Sequence, residues 1–344
     1  MATLFGIDYP TWWFLVVGAL FSGYAILDGF DLGAGAWHLF FKKEQSRRIA
    51  LNAVGPVWDG NEVWLVIGGG ALFAGFPVLY ATLLSAMYIP FMLFLFFIIL
   101  RAISIEFRSK EPMKWWRKTW DIVYSLSSTM LALLLGVVLG NVLQGMPLDE
   151  HFEFTGHWVQ FLNPYAITTG LTTLALMMMH GAIYLSLKTE GRLFDKVERL
   201  IRYAMIAFII LFSFITIYTL LYLPHLSDKF KTYPILFAIP ILVILSIANV
   251  PRLVSKQRFR YAFLFSSIIF SLLLILVAVE LYPVLLLSPT ATENNMTIYD
   301  AAASDKSLGI MLTIVAIGAP LVLTYTVVVY RTFWGKVKLD DMSY

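Results

Sequence analysis

Two acidic runs stand inside stretches of sequence that are otherwise apolar. Asp28 and Asp31 belong to a DGFDLG run, and Asp59 and Glu62 belong to a WDGNEVW run. The members of each pair are three residues apart, which places them on one face of a helix. Because a carboxylate is costly inside a bilayer, such residues usually face a bundle interior or a wet cavity. These four side chains are therefore the first candidates for chemistry, and that chemistry is proton exchange.

A short basic connection, residues 42–48, separates the two runs. Asp31 comes eleven residues before Lys42, and Asp59 comes eleven residues after Arg48. At about 1.5 Å per helical residue, both carboxylates lie roughly 16 Å from the connection. We therefore expect two antiparallel neighbouring helices whose four acids share one depth and converge on one small volume.

Three more charged residues lie in or beside apolar segments: Arg101, Glu106 and Glu280. The guanidinium of Arg101 is expensive to bury without an anion, so we expect it to reach an acid of the cluster, or a propionate or lipid phosphate at a subunit boundary. The alternative is that it snorkels to the cytoplasmic surface. Glu280 falls near the outer end of its segment, where we expect it to be solvated. For any single acid, capping or ion pairing remains the competing interpretation.

Small residues accompany the acids. Gly29 and Gly33 are four residues apart, and Gly68, Gly69 and Gly70 follow the second acidic run. Glycines in membrane helices allow two backbones to approach closely. No basic residue adjoins the triple glycine, so the pattern indicates helix packing and not a phosphate-binding loop.

Composition defines the class of protein. Of the 344 residues 59% are hydrophobic and 14% are charged, with apolar runs of twenty or more, which is typical of a polytopic membrane protein. The chain has no cysteine, so disulfides, thiolate metal sites and cysteine nucleophiles are excluded. The expected surroundings are a lipid bilayer, with no nucleic-acid partner.

We predict an all-α protein of nine transmembrane helices, because irregular backbone is not tolerated against lipid. Of the 25 Lys and Arg residues, 21 fall in, or within three residues of, the loops after spans 1, 3, 5 and 7 and the C-terminal tail. The positive-inside rule then places the N-terminus outside and the C-terminus in the cytoplasm. The spans lie at about 12–40, 52–75, 78–103, 118–142, 161–187, 200–222, 233–250, 260–282 and 307–331.

The histidines give no indication of a cofactor site. Of five, only His38 and His180 fall within predicted spans. The first is near the cytoplasmic end of its span and the second is near the middle of another, so they do not form a matched pair of haem ligands. We expect packing or hydrogen bonding for both, and no metal site is readable.

Taken together, these motifs resemble subunit II of the cytochrome bd type quinol oxidases, a family in which we include the closely similar cyanide-insensitive oxidases. The resemblance covers essentially the whole chain and is most specific in its first hundred residues. The motifs that carry it are DGFDLG at 28–33, WDGNEVWL at 58–65, GGGALFA at 68–74, RSK at 108–110 and GNxxQG at 140–145.

The resemblance implies a fold and a partner. It implies a single membrane domain, 1–344, that comprises a four-helix bundle over 1–145, a second over 160–283 and a peripheral ninth helix over 306–332. The partner would be a similarly folded subunit I that carries two b-type haems and one d-type haem, oxidises quinol and reduces dioxygen to water. The resemblance leaves open a structural quinone in this subunit and small accessory subunits.

The resemblance also implies a role for this chain. It would stabilise the haem-bearing partner in the inner membrane of a bacterium or archaeon and supply a cytoplasmic proton route. The positions that match that route are Asp31, Asp59 and Glu106, with Asp28 and Glu62 of lower rank. Glu106 stands where some relatives carry aspartate, which keeps an acid but changes its reach.

Without the resemblance, two other functions stay open. A proton-coupled secondary transporter would use the acids at its substrate site, but it should show helix-breaking residues in corresponding spans of two halves. The prolines within the predicted spans show no such correspondence. A purely structural membrane subunit, whose acids only cap and pair, is the third interpretation.

Overall fold

The computed structural model describes residues 3–339, apart from the side chains of residues 224 and 225. Two short antiparallel ribbons accompany the helices: β1 (Thr3–Leu4) with β2 (Ile7–Asp8), and β3 (Val284–Leu286) with β4 (Met296–Thr297). The helices are α1 (Tyr9–Ala36), α2 (Glu44–Val54), α3 (Trp58–Gly75), α4 (Pro77–Ala86), α5 (Tyr88–Phe107), α6 (Lys114–Gln144), α7 (Pro164–Lys188), α8 (Gly191–Tyr222), α9 (Asp228–Thr232), α10 (Ala238–Ser255), α11 (Phe259–Leu281), α12 (Ile298–Ala301) and α13 (Asp305–Thr332).

The chain is an all-α polytopic membrane protein, as the sequence predicts. Within the described residues, eight helices are each long and apolar enough to cross a bilayer. A ninth crossing results if α3 and α4, which are bent by 117° relative to each other, count as one span. The orientation of the chain and its division into two four-helix bundles stay predictions.

The boundaries predicted for spans 2 and 3 are wrong. Residues 52–54, expected to open span 2, end the separate helix α2, and span 2 begins only at Trp58. Residues 78–86, expected to open span 3, belong to α4. The break inside predicted span 2 falls at Pro56, and the break inside predicted span 3 falls at Met87, which separates α4 from α5. The boundary predicted between spans 2 and 3 does fall at Pro77, because proline has no amide hydrogen for the helix ladder and disfavours helical geometry in the residue before it. In agreement, Phe76 has φ −130° and ψ 66°.

Helix α1 is the central element of the fold. Its N-terminus is capped by Asp8, whose carboxylate accepts a hydrogen bond from the amide of Thr11 at 2.9 Å. The helix packs against α3, α6, α7, α11 and α13. Every residue from Asp28 to His38 is buried. The acidic run therefore lies where α1 is enclosed on all sides.

The crossing of α1 and α7 requires glycine on both helices. A Cβ atom on Gly33 would lie 1.8 Å from the carbonyl oxygen of Met177, and one on Gly181 would lie 2.4 Å from the backbone nitrogen of Ala34. The obstacle is backbone in both cases, so no side-chain movement can relieve it. The close helix packing predicted at Gly33 is therefore present in the structure, as a contact between the backbones of α1 and α7.

The other predicted packing glycines differ. A Cβ on Gly29 would meet Phe270 at 3.4 Å, an ordinary contact, and one on Gly68 would meet the ring of Phe21 at 3.3 Å. Gly69 and Gly70 have no atoms near the Cβ position within 4 Å. The close approach expected at these last two residues is therefore not made among the described residues of this chain.

Replacing Gly33 by alanine should destabilise the protein by at least about 1–3 kcal/mol, because overpacking here acts on backbone. Gly18→Ala is the matched control, since it lies on the same helix and has nothing within 4 Å of its Cβ position. The measurement is the thermal denaturation midpoint of the purified protein. Equal midpoints for the two variants would contradict the predicted constraint at the crossing.

Candidate functional site

A fully buried ion pair lies at the centre of the acidic cluster. Arg101 of α5 donates from Nη2 to Oδ1 of Asp28 at 2.6 Å and from Nη1 to Oδ2 at 3.0 Å. Neither side chain has any exposed surface. Arg101 also reaches Oε2 of Glu62 on α3 at 3.4 Å. Arg101 therefore binds acids of the cluster and does not snorkel to the surface.

Asp31, one turn further along α1, has a different environment. Its Oδ2 accepts a hydrogen bond from Nδ2 of Asn61 at 2.7 Å. Its Oδ1 is buried and has no hydrogen-bond partner among the described residues. Two carboxyl groups three residues apart on one buried helix face thus differ sharply, because Arg101 binds Asp28 directly and only an amide binds Asp31.

The remaining predicted acids are not all part of this buried group. Asp59 lies in the first turn of α3 but is exposed, so the four acids do not converge on one enclosed volume. Glu62 is half-buried, with 18% of its side chain exposed. Glu106 is half-buried in the last turn of α5. The structure brings together Asp28, Asp31 and Glu62, and leaves Asp59 beside them at the surface of this chain.

Glu280 is not simply solvated, contrary to the sequence-based expectation. It is half-buried, and its Oε2 is buried without a hydrogen-bond partner in the described part of the chain. Nearby, Nζ of Lys229 donates to the carbonyl oxygens of Val279, Glu280 and Tyr282 at the end of α11. Burial lowers the pKa of Lys229, and the Glu280 carboxylate opposes that shift. The lysine therefore caps the C-terminus of α11.

A second buried polar cluster, around Asp121 of α6, was not predicted from the sequence. Its Oδ1 accepts from Nε of Arg108 at 2.6 Å and lies 2.5 Å from Nε2 of His38. Its Oδ2 accepts from Nη1 of Arg47 at 2.9 Å. Arg108 continues to the half-exposed Glu44 of α2 at 3.0 Å. A lone aspartate three residues after Lys118, at the start of a predicted apolar span, was the available signal.

The two buried histidines are both held by protein hydrogen bonds. His38 is hydrogen-bonded to Asp121, and both nitrogens of His180 are occupied, by Ser266 Oγ at 2.6 Å and by the carbonyl oxygen of Ile26 at 3.1 Å. The His180 ring also stacks on Phe263, with centroids 4.6 Å apart. Within the described residues, no group of three or more potential metal ligands occurs. His180 therefore has no ring nitrogen free to bind iron, whereas Nδ1 of His38 is buried without a hydrogen-bond partner in the described part of the chain.

Comparisons with known proteins agree over nearly the full length of the chain. Residues 9–333 match the family model described as cytochrome bd terminal oxidase subunit II. The chain belongs to this family. It is 30% identical to cytochrome bd-I ubiquinol oxidase subunit 2 of Escherichia coli strain K12, with 98% of both chains covered. It is also 30% identical to cytochrome bd ubiquinol oxidase subunit 2 of Bacillus subtilis, with 96% of this chain and 98% of the relative covered.

A solved structure supports the same fold. The bd oxidase structure from Geobacillus thermodenitrificans contains a chain that matches with a TM-score of 0.77 at 18% identity, covering 94% of this chain and 98% of that one. As a member of the subunit II family, the protein is a multi-pass inner-membrane subunit of a terminal oxidase, an oxidoreductase complex of respiratory electron transport. A subunit I partner follows from that assignment.

Replacing Arg101 by alanine should lower the free energy of unfolding of this subunit by about 3–5 kcal/mol, because the Asp28 charge is then buried without a partner. Arg101→Ala combined with Asp28→Asn should recover part of the loss, since no uncompensated charge remains. The thermal denaturation midpoint of the purified complex measures both effects. A double variant less stable than Arg101→Ala alone would show that the carboxylate is not the relevant partner.

Proposed function

We propose that this chain is the subunit of a quinol:oxygen oxidoreductase that stabilises a haem-bearing subunit I and supplies it with protons from the cytoplasm. The coarse part of this assignment rests on family membership, which leaves no observation in favour of the secondary-transporter alternative. The relatives from Escherichia coli and Bacillus subtilis are named as ubiquinol oxidase subunits, which supports quinol as the reductant.

The contrast between Asp28 and Asp31 carries the proposed proton route. Arg101 occupies both oxygens of Asp28, so that residue serves as a buried counter-ion. Asp31 has one oxygen bound to an amide and one buried oxygen with no partner among the described residues. A carboxyl group without a fixed cation can gain and lose a proton within the membrane without breaking an ion pair. Asp31 is therefore the inner carrier.

Asp59 and Glu106 complete the route towards the cytoplasm. Asp59 comes two residues before Asn61, the residue that binds Asp31, and it is exposed on this chain, where water or the partner can reach it. Glu106 is half-buried at the end of α5, just before the basic connection to α6. Ordered waters bridge the gaps, since water-mediated hydrogen bonds are nearly as favourable as direct ones. Protons enter past Glu106 and pass through Asp59 to Asp31.

The haems of the complex belong to the partner in this proposal. The b-type and d-type haems supply the oxygen-reducing chemistry when bound, and His38 and His180 of this chain are both held by protein hydrogen bonds. The role of this chain is to pack against the haem-bearing subunit and to move protons at carboxyl oxygens. No step of the reaction is assigned to a haem on this chain.

Expression of this chain without subunit I should yield protein that contains no stoichiometric haem, because its two buried histidines do not form a ligand pair: His38 is bonded to Asp121, and both ring nitrogens of His180 are occupied. The visible absorption spectrum per mole of purified chain measures this. The co-expressed pair of subunits, purified in the same detergent, is the control and should show the full haem spectrum. A full haem complement in the isolated chain would refute the assignment of haem to the partner.

Asp59→Asn and Asp31→Asn should each slow quinol oxidase turnover and cytoplasmic proton uptake by about tenfold or more, since each removes a proton carrier while keeping size and hydrogen bonding. The haem spectrum should stay unchanged. Turnover is measured as oxygen consumption, and proton uptake is measured in vesicles of known orientation.

Two aspartates provide controls for this test. Asp195 is exposed on α8, and Asp195→Asn should leave turnover and proton uptake unaltered. Asp28→Asn should instead lower thermal stability, because it removes the counter-ion of Arg101. If Asp31→Asn and Asp59→Asn both assemble and show wild-type turnover and proton uptake, these acids are structural and the proposed route is refuted.

A further inference from the structure

We infer that Tyr330 and Asn61 are positioning residues for Asp31, so that the ninth helix, α13, takes part in proton transfer as well as in packing. This inference rests on the proposed function of Asp31 as a proton carrier. It is carried by a hydrogen-bonded chain of three side chains from three helices that ends on the carboxyl group.

Direct hydrogen bonds link the three side chains, with no gap between them. The hydroxyl group of Tyr330 on α13 donates to Oδ1 of Asn61 on α3 at 2.9 Å. Nδ2 of the same amide donates to Oδ2 of Asp31 on α1 at 2.7 Å and to the carbonyl oxygen of Leu27 at 3.3 Å. Asn61 is only 2% exposed and Asp31 is fully buried. The Asn61 and Asp31 side chains of this series are therefore buried, and Tyr330 is half-buried.

The orientation of the Asn61 amide follows from its acceptor and donor neighbours. The carbonyl oxygen of Leu27 can only accept, so the NH2 group of Asn61 must face α1. The amide oxygen then faces α13, where it needs a donor because it is buried. The Tyr330 hydroxyl is that donor. Tyr330 thus holds the amide in the orientation that donates to Asp31.

This arrangement decides which oxygen of Asp31 is available for protons. Asn61 occupies Oδ2, and Oδ1 remains buried without a partner in the described part of the chain. A carboxyl group fixed through one oxygen presents the other in a defined direction, as proton transfer requires. Loss of the Tyr330 hydroxyl leaves the Asn61 oxygen without its donor and loosens this alignment, although Tyr330 itself touches no reacting atom.

The ring of Tyr330 should remain in place without its hydroxyl group. Its centroid is 6.3 Å from that of Phe30, in an edge-on arrangement, and it packs against the main hydrophobic core. Tyr330→Phe therefore removes the hydrogen bond and keeps the packing. Tyr325→Phe is the matched control, because Tyr325 lies on the same helix and is 58% exposed.

The experiment uses the complete oxidase with Tyr330→Phe in this subunit. Turnover at saturating quinol should fall about two- to tenfold, the range of one hydrogen bond, and the KM for quinol should be unchanged. The pH at which turnover is half-maximal should shift by about half a unit or more. Tyr325→Phe should change none of these. A Tyr330→Phe enzyme with wild-type turnover and an unshifted pH profile overturns the inference.

A double variant tests whether Tyr330 acts through Asp31. In an Asp31→Asn background, Tyr330→Phe should cause no further loss of turnover, because contacting residues of one network are not additive. A second loss of the same fold-change overturns the inference, since Tyr330 would then act elsewhere.

Infrared difference spectroscopy separates this inference from the proposed function. The Asp31 carboxyl band, assigned by its disappearance in Asp31→Asn, should change frequency in Tyr330→Phe and not in Tyr325→Phe. An unchanged band overturns the positioning role even where Asp31→Asn slows turnover. A shifted band together with wild-type turnover in Asp31→Asn supports the hydrogen-bonded link and refutes the proton route instead.

Discussion

The contact between Arg101 and Asp28 is the constraint on which the rest of the structure depends. A guanidinium and a carboxylate without any exposed surface are stable in an apolar interior only when their hydrogen bonds are closely matched. Meeting that demand ties α5 to the C-terminal half of α1 and brings Glu62 of α3 to the same cation. Three helices are thereby held at one depth by a single charge.

The enclosure of α1 follows from this fixed position. Residues from Asp28 to His38 are all buried, and α7 crosses this segment at Gly33 with backbone against backbone. At the far end of the segment, His38 meets Asp121 in a second buried polar cluster. Charged contacts at both ends and a glycine crossing between them give α1 a single position, which a functional carboxyl group on that helix requires.

Within this frame, neighbouring acids acquire different roles from their partners and not from their residue type. Asp28 is neutralised by Arg101, whereas Asp31 is hydrogen-bonded to an amide. Pairs of titratable groups whose surroundings differ in this way are a recurring arrangement in sites that move protons. The proposed route uses that difference. The link from Asp31 through Asn61 to Tyr330 extends the arrangement to α13, which the family resemblance implied was peripheral.

The sequence by itself determined the class, the helical content and most of the acids, because apolar length and buried charge are local properties that can be read residue by residue. It could not place the breaks near Pro56 and Met87 or pair Asp121 with Arg108, since turn geometry and contacts across 13 residues depend on how helices pack. Only the tertiary structure showed that Arg101 pairs with Asp28, that Asp59 is exposed and that Asn61 is hydrogen-bonded to Asp31. The physical reason is that hydrogen-bond partners in a membrane bundle come from other helices, whose rotation and depth no single segment encodes.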